Sequence, residues 1–87
     1  MALIDLFLSR AVTRGTLTLH RPDVATKTFG TSEAGFPDVV IRFTDKNVGR
    51  SIVSDPGLGA AEAFMDGRLV IEQGDIRALV ELLTSND

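Results

Sequence analysis

The chain has no cysteine, no tryptophan and no tyrosine, and only one histidine. Without cysteine there is no disulfide, no thiolate nucleophile and no zinc site built on sulfur, a usage that fits the reducing cytoplasm. The histidine, His20, has no other histidine, cysteine or carboxylate at ligand or general-base spacing around it, so it reads as a solvent-facing side chain at the end of a strand. Charge of one sign is also missing. Nine basic residues stand against twelve acidic ones, a formal net charge of -3, and both are scattered. Nucleic acid needs a concentrated basic face, and the same balance disfavours an anionic membrane surface. No apolar run approaches the ~20 residues of a membrane helix. Asp5 breaks the apolar start with no basic residue before it, so the first residues do not read as a secretory signal.

What remains is an ordinary globular composition. Hydrophobic residues make up 44% and charged residues 24% of 87 positions, enough for one small core and too apolar for a disordered tail. A chain of this length buries roughly 60–65% of the surface its unfolded form exposes, which sets a modest stability.

Residues 2–12 carry Leu3, Ile4, Phe7, Leu8, Ala11 and Val12 along one helical face, with Asp5, Ser9 and Arg10 off it, and Gly15 closes the segment. This is either a packing helix or an amphipathic segment that touches lipid or another part of a longer protein, since Leu6 adds apolar surface beside the main stripe. Residues 16–20 alternate polar and apolar as a half-buried strand does, Arg21-Pro22-Asp23 turns the chain, and residues 26–29 form a weaker strand of a hairpin. Residues 30–36 read as a loop. In residues 38–44, Val39, Ile41 and Phe43 share one face and Val40, Arg42 and Thr44 the other, the clearest strand in the chain. Asp45 is placed to cap a short helix over 46–54 with Val48, Ile52 and Val53 turned inward, and Pro56 ends it.

The stretch from Asp55 to Asp75 then organises the rest. Leu58, Ala61, Phe64 and Met65 lie on a second short helix that should end at Asp66, with Gly67 in the left-handed closing position. Residues 68–72 switch to a period of two, with Leu69 and Ile71 on one face. Asp75 is a credible N-cap for a last helix with apolar positions Ile76, Leu79, Val80 and Leu83. Helix, three strands, two helical pieces, strand and helix predict an α+β domain: a small, twisted, largely antiparallel sheet of about four strands with helices packed on one face.

Reactive chemistry is mostly not found. Ser51 to Gly59 superficially suggests a cofactor-binding glycine turn, but only Gly57 and Gly59 are present and the residues before them have helical spacing, so it reads as a Pro-Gly turn joining two helices. Glu62 and Asp66 lie one helical turn apart, either as paired carboxylates or as a solvated pair neutralised by Arg68. No serine has a nucleophile-elbow context. Phe64 and Met65 are adjacent and point about 100° apart on a helix, so they are either both core or one of them borders an apolar groove.

The run Leu58, Gly59, Glu62, Ala63, Phe64, Met65, Asp66, Gly67, with Leu69 and Gly74-Asp75, resembles the N-terminal domain of cyclopropane-fatty-acyl-phospholipid synthases and, more distantly, the sterol-carrier-protein-2 fold. Upstream, residues 14–19 (RGTLTL), Phe29-Gly30 and residues 37–42 (PDVVIR) stand where that family has similar segments, so the likeness covers most of the chain. It departs at Ala61, often glycine in the family, and at Phe64, often tyrosine.

The resemblance implies a helix-on-sheet architecture around an apolar cleft, and a complete enzyme that transfers a methylene unit from S-adenosylmethionine to an unsaturated phospholipid acyl chain. Its cofactor and catalytic residues would lie beyond Asp87. This chain, residues 1–87, would then be a single accessory domain excised from a longer methyltransferase, cut in the polar linker that Ser85, Asn86 and Asp87 suggest. It would carry no catalytic, cofactor or metal residues of its own. Its partners would be the catalytic domain of the same polypeptide, phospholipid acyl chains or further copies of the chain in an oligomer, and its place the cytoplasm, either free or peripheral at the inner membrane face. Val48, Ile52, Leu58, Phe64 and Met65 are the candidate apolar lipid or docking surface. The alternatives are a free-standing sterol-carrier-like lipid-binding protein and a purely structural interaction module.

Overall fold

A computed structural model describes residues 3–84. The suggested linker at 85–87 and the first residue of the expected first helix lie outside these residues. The elements follow the expected order: α1 (Leu3–Ala11), β1 (Gly15–Arg21), β2 (Val24–Thr31), β3 (Asp38–Phe43), α2 (Val48–Ser54), α3 (Pro56–Met65), β4 (Leu69–Gln73) and α4 (Ile76–Thr84). The α+β class is thus the observed one.

The sheet is mixed, with strand order β2-β1-β3-β4. Both outer pairings are antiparallel, whereas the central pair β1–β3 is parallel, with Leu17 opposite Val39 and Leu19 opposite Ile41. The chain reaches this arrangement because β2 returns along the outer edge of β1 and the loop that follows carries it back across, so β3 starts beside the start of β1. β2 is longer than the expected 26–29 segment. Its edge position leaves only Phe29 buried, so burial does not mark its ends in the sequence.

One face of the sheet is covered and the other is open. Leu17, Leu19, Val39, Ile41, Phe43 and Leu69 are buried against the helices, where they meet Leu8 and Val12 of the first helical segment, Val48 and Ile52 of α2, Ala60 and Ala63 of α3, and Leu79, Leu82 and Leu83 of α4. Each large side chain so buried contributes about 1.5–3 kcal/mol relative to exposure. Thr16, Thr18, His20, Val40 and Arg42 alternate onto the opposite face.

The helix boundaries have local causes. Asp55 caps α3 through a bond from the Leu58 N–H, with Pro56 at the first turn. At the far end, Gly67 takes φ 78° while its N–H reaches the Phe64 carbonyl and the Arg68 N–H reaches the Ala63 carbonyl, which is a Schellman closure. Asp75 caps α4 through the Ala78 N–H at 2.8 Å. Asp45 does not cap α2. Its carboxylate accepts from the Asn47 N–H two residues on, a local turn that uses up the oxygen before the helix begins at Val48.

Candidate functional site: an apolar cleft with a basic rim

The five apolar residues singled out in the sequence do not form one surface. Val48 and Ile52 are fully buried and belong to the core, because α2 lies between α1 and α3 and turns this side inward. Leu58, Phe64 and Met65 are exposed, at 55%, 40% and 76%. Leu58 borders a groove whose other walls, from Asn47 and Arg50 to Asp55 and Glu62, are mostly polar. Phe64 and Met65 close α3 on the side away from the core, where Ala60 and Ala63 do the packing.

The apolar cleft lies elsewhere. It has a volume of about 600 Å³ and is walled by Leu3, Leu6, Phe7 and Ala11 of α1, Val53 and Pro56 at the α2–α3 junction, and Leu83 and Thr84 of α4, with Arg10 at its edge. Leu3 is 64% and Leu6 42% exposed, so two large aliphatic side chains on one helix face solvent beside it. The helix geometry explains this. Ile4, Leu8 and Val12 form the inward stripe, and Leu3, Leu6 and Phe7 fall on its flank, over the gap between α2 and α4. A smaller groove shares Leu3 and Val53 with the cleft and continues past Lys46 and Arg50. Arg10 is thus among the residues of the cleft, and Lys46 and Arg50 belong to the adjoining groove, although the whole chain is net acidic.

The open face of the sheet is polar and internally bonded. Thr16 donates to Asp38 at 2.7 Å, Thr18 and Thr28 share a bond of 3.0 Å, and His20 Nδ1 pairs with Thr26 at 2.8 Å. His20 Nε2 lies 3.7 Å from Glu72, which also pairs with Arg42. His20 therefore does have a carboxylate near it, brought from a strand fifty-two residues away. Thr26, His20 and Glu72 stand in a hydroxyl–imidazole–carboxylate order, but on the flat solvent side of the sheet, where nothing excludes water from a reaction. Asp66 is paired with Arg68 at 3.1 Å. Among the described residues no group of three or more His, Cys, Asp or Glu could hold a metal ion, and no helix is long and apolar enough to cross a membrane.

No protein-family model, curated protein or solved structure matches the chain.

Sequence reading missed the cleft because three separated segments build it. One signal was present: Leu6, apolar and off the main stripe of α1.

Proposed function

We propose that this chain is a non-catalytic accessory domain of a cyclopropane-fatty-acyl-phospholipid synthase-like, S-adenosylmethionine-dependent methyltransferase, and that it engages a phospholipid acyl chain at the α1–α4 cleft. The observation that carries the reading is the exposure of Leu3 and Leu6 beside an apolar cleft that includes Arg10, with Lys46 and Arg50 in the adjoining groove. Apolar side chains that can enter the acyl region, flanked by cations that can meet phosphate groups, are the physical requirements of a surface that lies on a bilayer. A volume of about 600 Å³ is within the size range of small-ligand sites. The synthase assignment itself rests on the resemblance of the GLGAAEAFMDGRL segment and the strands before it.

The test is co-sedimentation of the chain with phosphatidylglycerol and phosphatidylcholine vesicles. Binding that favours the anionic vesicles and is lost in Leu6→Glu supports the proposal. Equal recovery of the wild type and Leu6→Glu with vesicles sinks it. A docking module without lipid affinity would instead bind the separate catalytic domain and leave both vesicles untouched.

A further inference from the structure

Gly49 brings α2 down onto α1. A Cβ added at Gly49 would lie 3.0 Å from the Ile4 Cβ and 3.1 Å from its Cγ2, so a side chain there would press on Ile4. Beside this close approach runs the smaller groove, about 280 Å³, with Leu3, Ile4 and Val53 as its apolar walls and Lys46 and Arg50 as its polar ones. Both cations are exposed, and neither makes an ion pair among the described residues. No carboxylate lines the groove, and none lines the cleft that shares Leu3 and Val53 with it. The acids closest by belong to other recesses. Asp45 lines a neighbouring cavity and its Oδ1 accepts from the Asn47 N–H, while Asp55 and Glu62 line the α2–α3 groove, which Arg50 also borders.

The joined recesses therefore present local positive charge in a chain whose net charge is -3. An apolar wall that runs into a cleft, with two unpaired cations at one end, matches the polarity of a lipid with an anionic headgroup. Contact with a bilayer surface needs only protruding side chains such as Leu3 and Leu6. A recess of about 600 Å³ adjoining a second one supplies walls as well, and walls are what hold a single molecule. Building on the acyl-chain reading of the cleft, which it requires, we propose that the two recesses together hold one molecule of an anionic phospholipid. Its phosphodiester lies at Lys46 and Arg50, and one acyl chain runs past Leu3 and Val53 into the cleft. A zwitterionic headgroup brings its own ammonium to the same two cations and is disfavoured.

The experiment titrates the isotope-labelled chain with dihexanoyl phosphatidylglycerol below its micelle concentration, and separately with dihexanoyl phosphatidylcholine, and follows the backbone amides. The expected result is that Gly49 and Arg50 at the groove and Phe7 and Ala11 at the cleft shift along one saturation curve of one-to-one stoichiometry. Phosphatidylglycerol should bind about tenfold more tightly than phosphatidylcholine. Replacing both cations, Lys46→Ala with Arg50→Ala, should abolish that preference by weakening phosphatidylglycerol about tenfold, with the unfolding midpoint unchanged because both side chains are exposed. Equal affinity for the two lipids, a preference that survives the double variant, or separate curves for groove and cleft overturns the proposal. So does a failure of the dispersed lipids to saturate while vesicles still bind in a Leu6-dependent way, a result that leaves the bilayer reading intact. If neither dispersed lipid nor vesicles bind, the lipid reading falls and this site falls with it.

Discussion

Gly59 of α3 sits against the backbone of Ser51 in α2. A Cβ added there would lie 2.6 Å from the Ser51 carbonyl carbon and 3.0 Å from the Ile52 nitrogen. Backbone atoms inside a helix cannot step aside, so Gly59 sets how closely the two helices approach. Gly59→Ala should lower stability by about 3 kcal/mol, read as a fall in the urea midpoint. Gly57, one position before Leu58, is the control. Its added Cβ would meet nothing nearer than 3.9 Å, so Gly57→Ala should be neutral or stabilise by up to about 1 kcal/mol through helix propensity.

Asp5 and Arg21 answer each other's charge across the end of the core. Asp5→Ala leaves a buried guanidinium without its counter-charge and should destabilise by about 3–5 kcal/mol, a large share of what a domain this small possesses. The double replacement Asp5→Leu with Arg21→Met should recover most of that loss, because it removes both desolvated charges and keeps the volume. Thermal unfolding of the three variants measures it.

The two exposed residues that end α3 and the buried Ile52 of α2 should respond in opposite ways. Met65→Glu should change stability by no more than about 0.5 kcal/mol, while Ile52→Ala should lose about 2–5 kcal/mol through the cavity it leaves. Equal destabilisation by both would place Met65 in the core, against its observed exposure.

Where a signal is local, the chain declares its structure. The period-two run Val39, Ile41, Phe43 is the buried face of β3, and the Asp66-Gly67-Arg68 closure and the Asp75 cap stand where their side chains and φ preferences put them. Where a position depends on a distant element, pattern alone is silent. Asp5 lies off the apolar stripe that the sequence assigns to α1, yet it is buried beside Arg21. Arg21 itself sits in a turn-like Arg-Pro-Asp sequence, although its parity with Leu17 and Leu19 already pointed it to the core face. Val48 and Ile52 were correctly turned inward by helical spacing, and for that same reason they cannot belong to a surface. The parallel β1–β3 pairing and the His20–Glu72 approach are properties of topology, which no spacing of residues states.

Binding of Leu6→Glu and wild-type chain to phosphatidylglycerol vesicles tests the central claim most directly. Leu6 is partly exposed and outside the core, so the variant should keep the wild-type unfolding midpoint while vesicle binding falls at least tenfold, the expected effect of placing a charge where an aliphatic side chain meets the acyl region. A folded Leu6→Glu that binds vesicles as the wild type does, or a wild type that binds none, would contradict the assignment of this cleft to lipid.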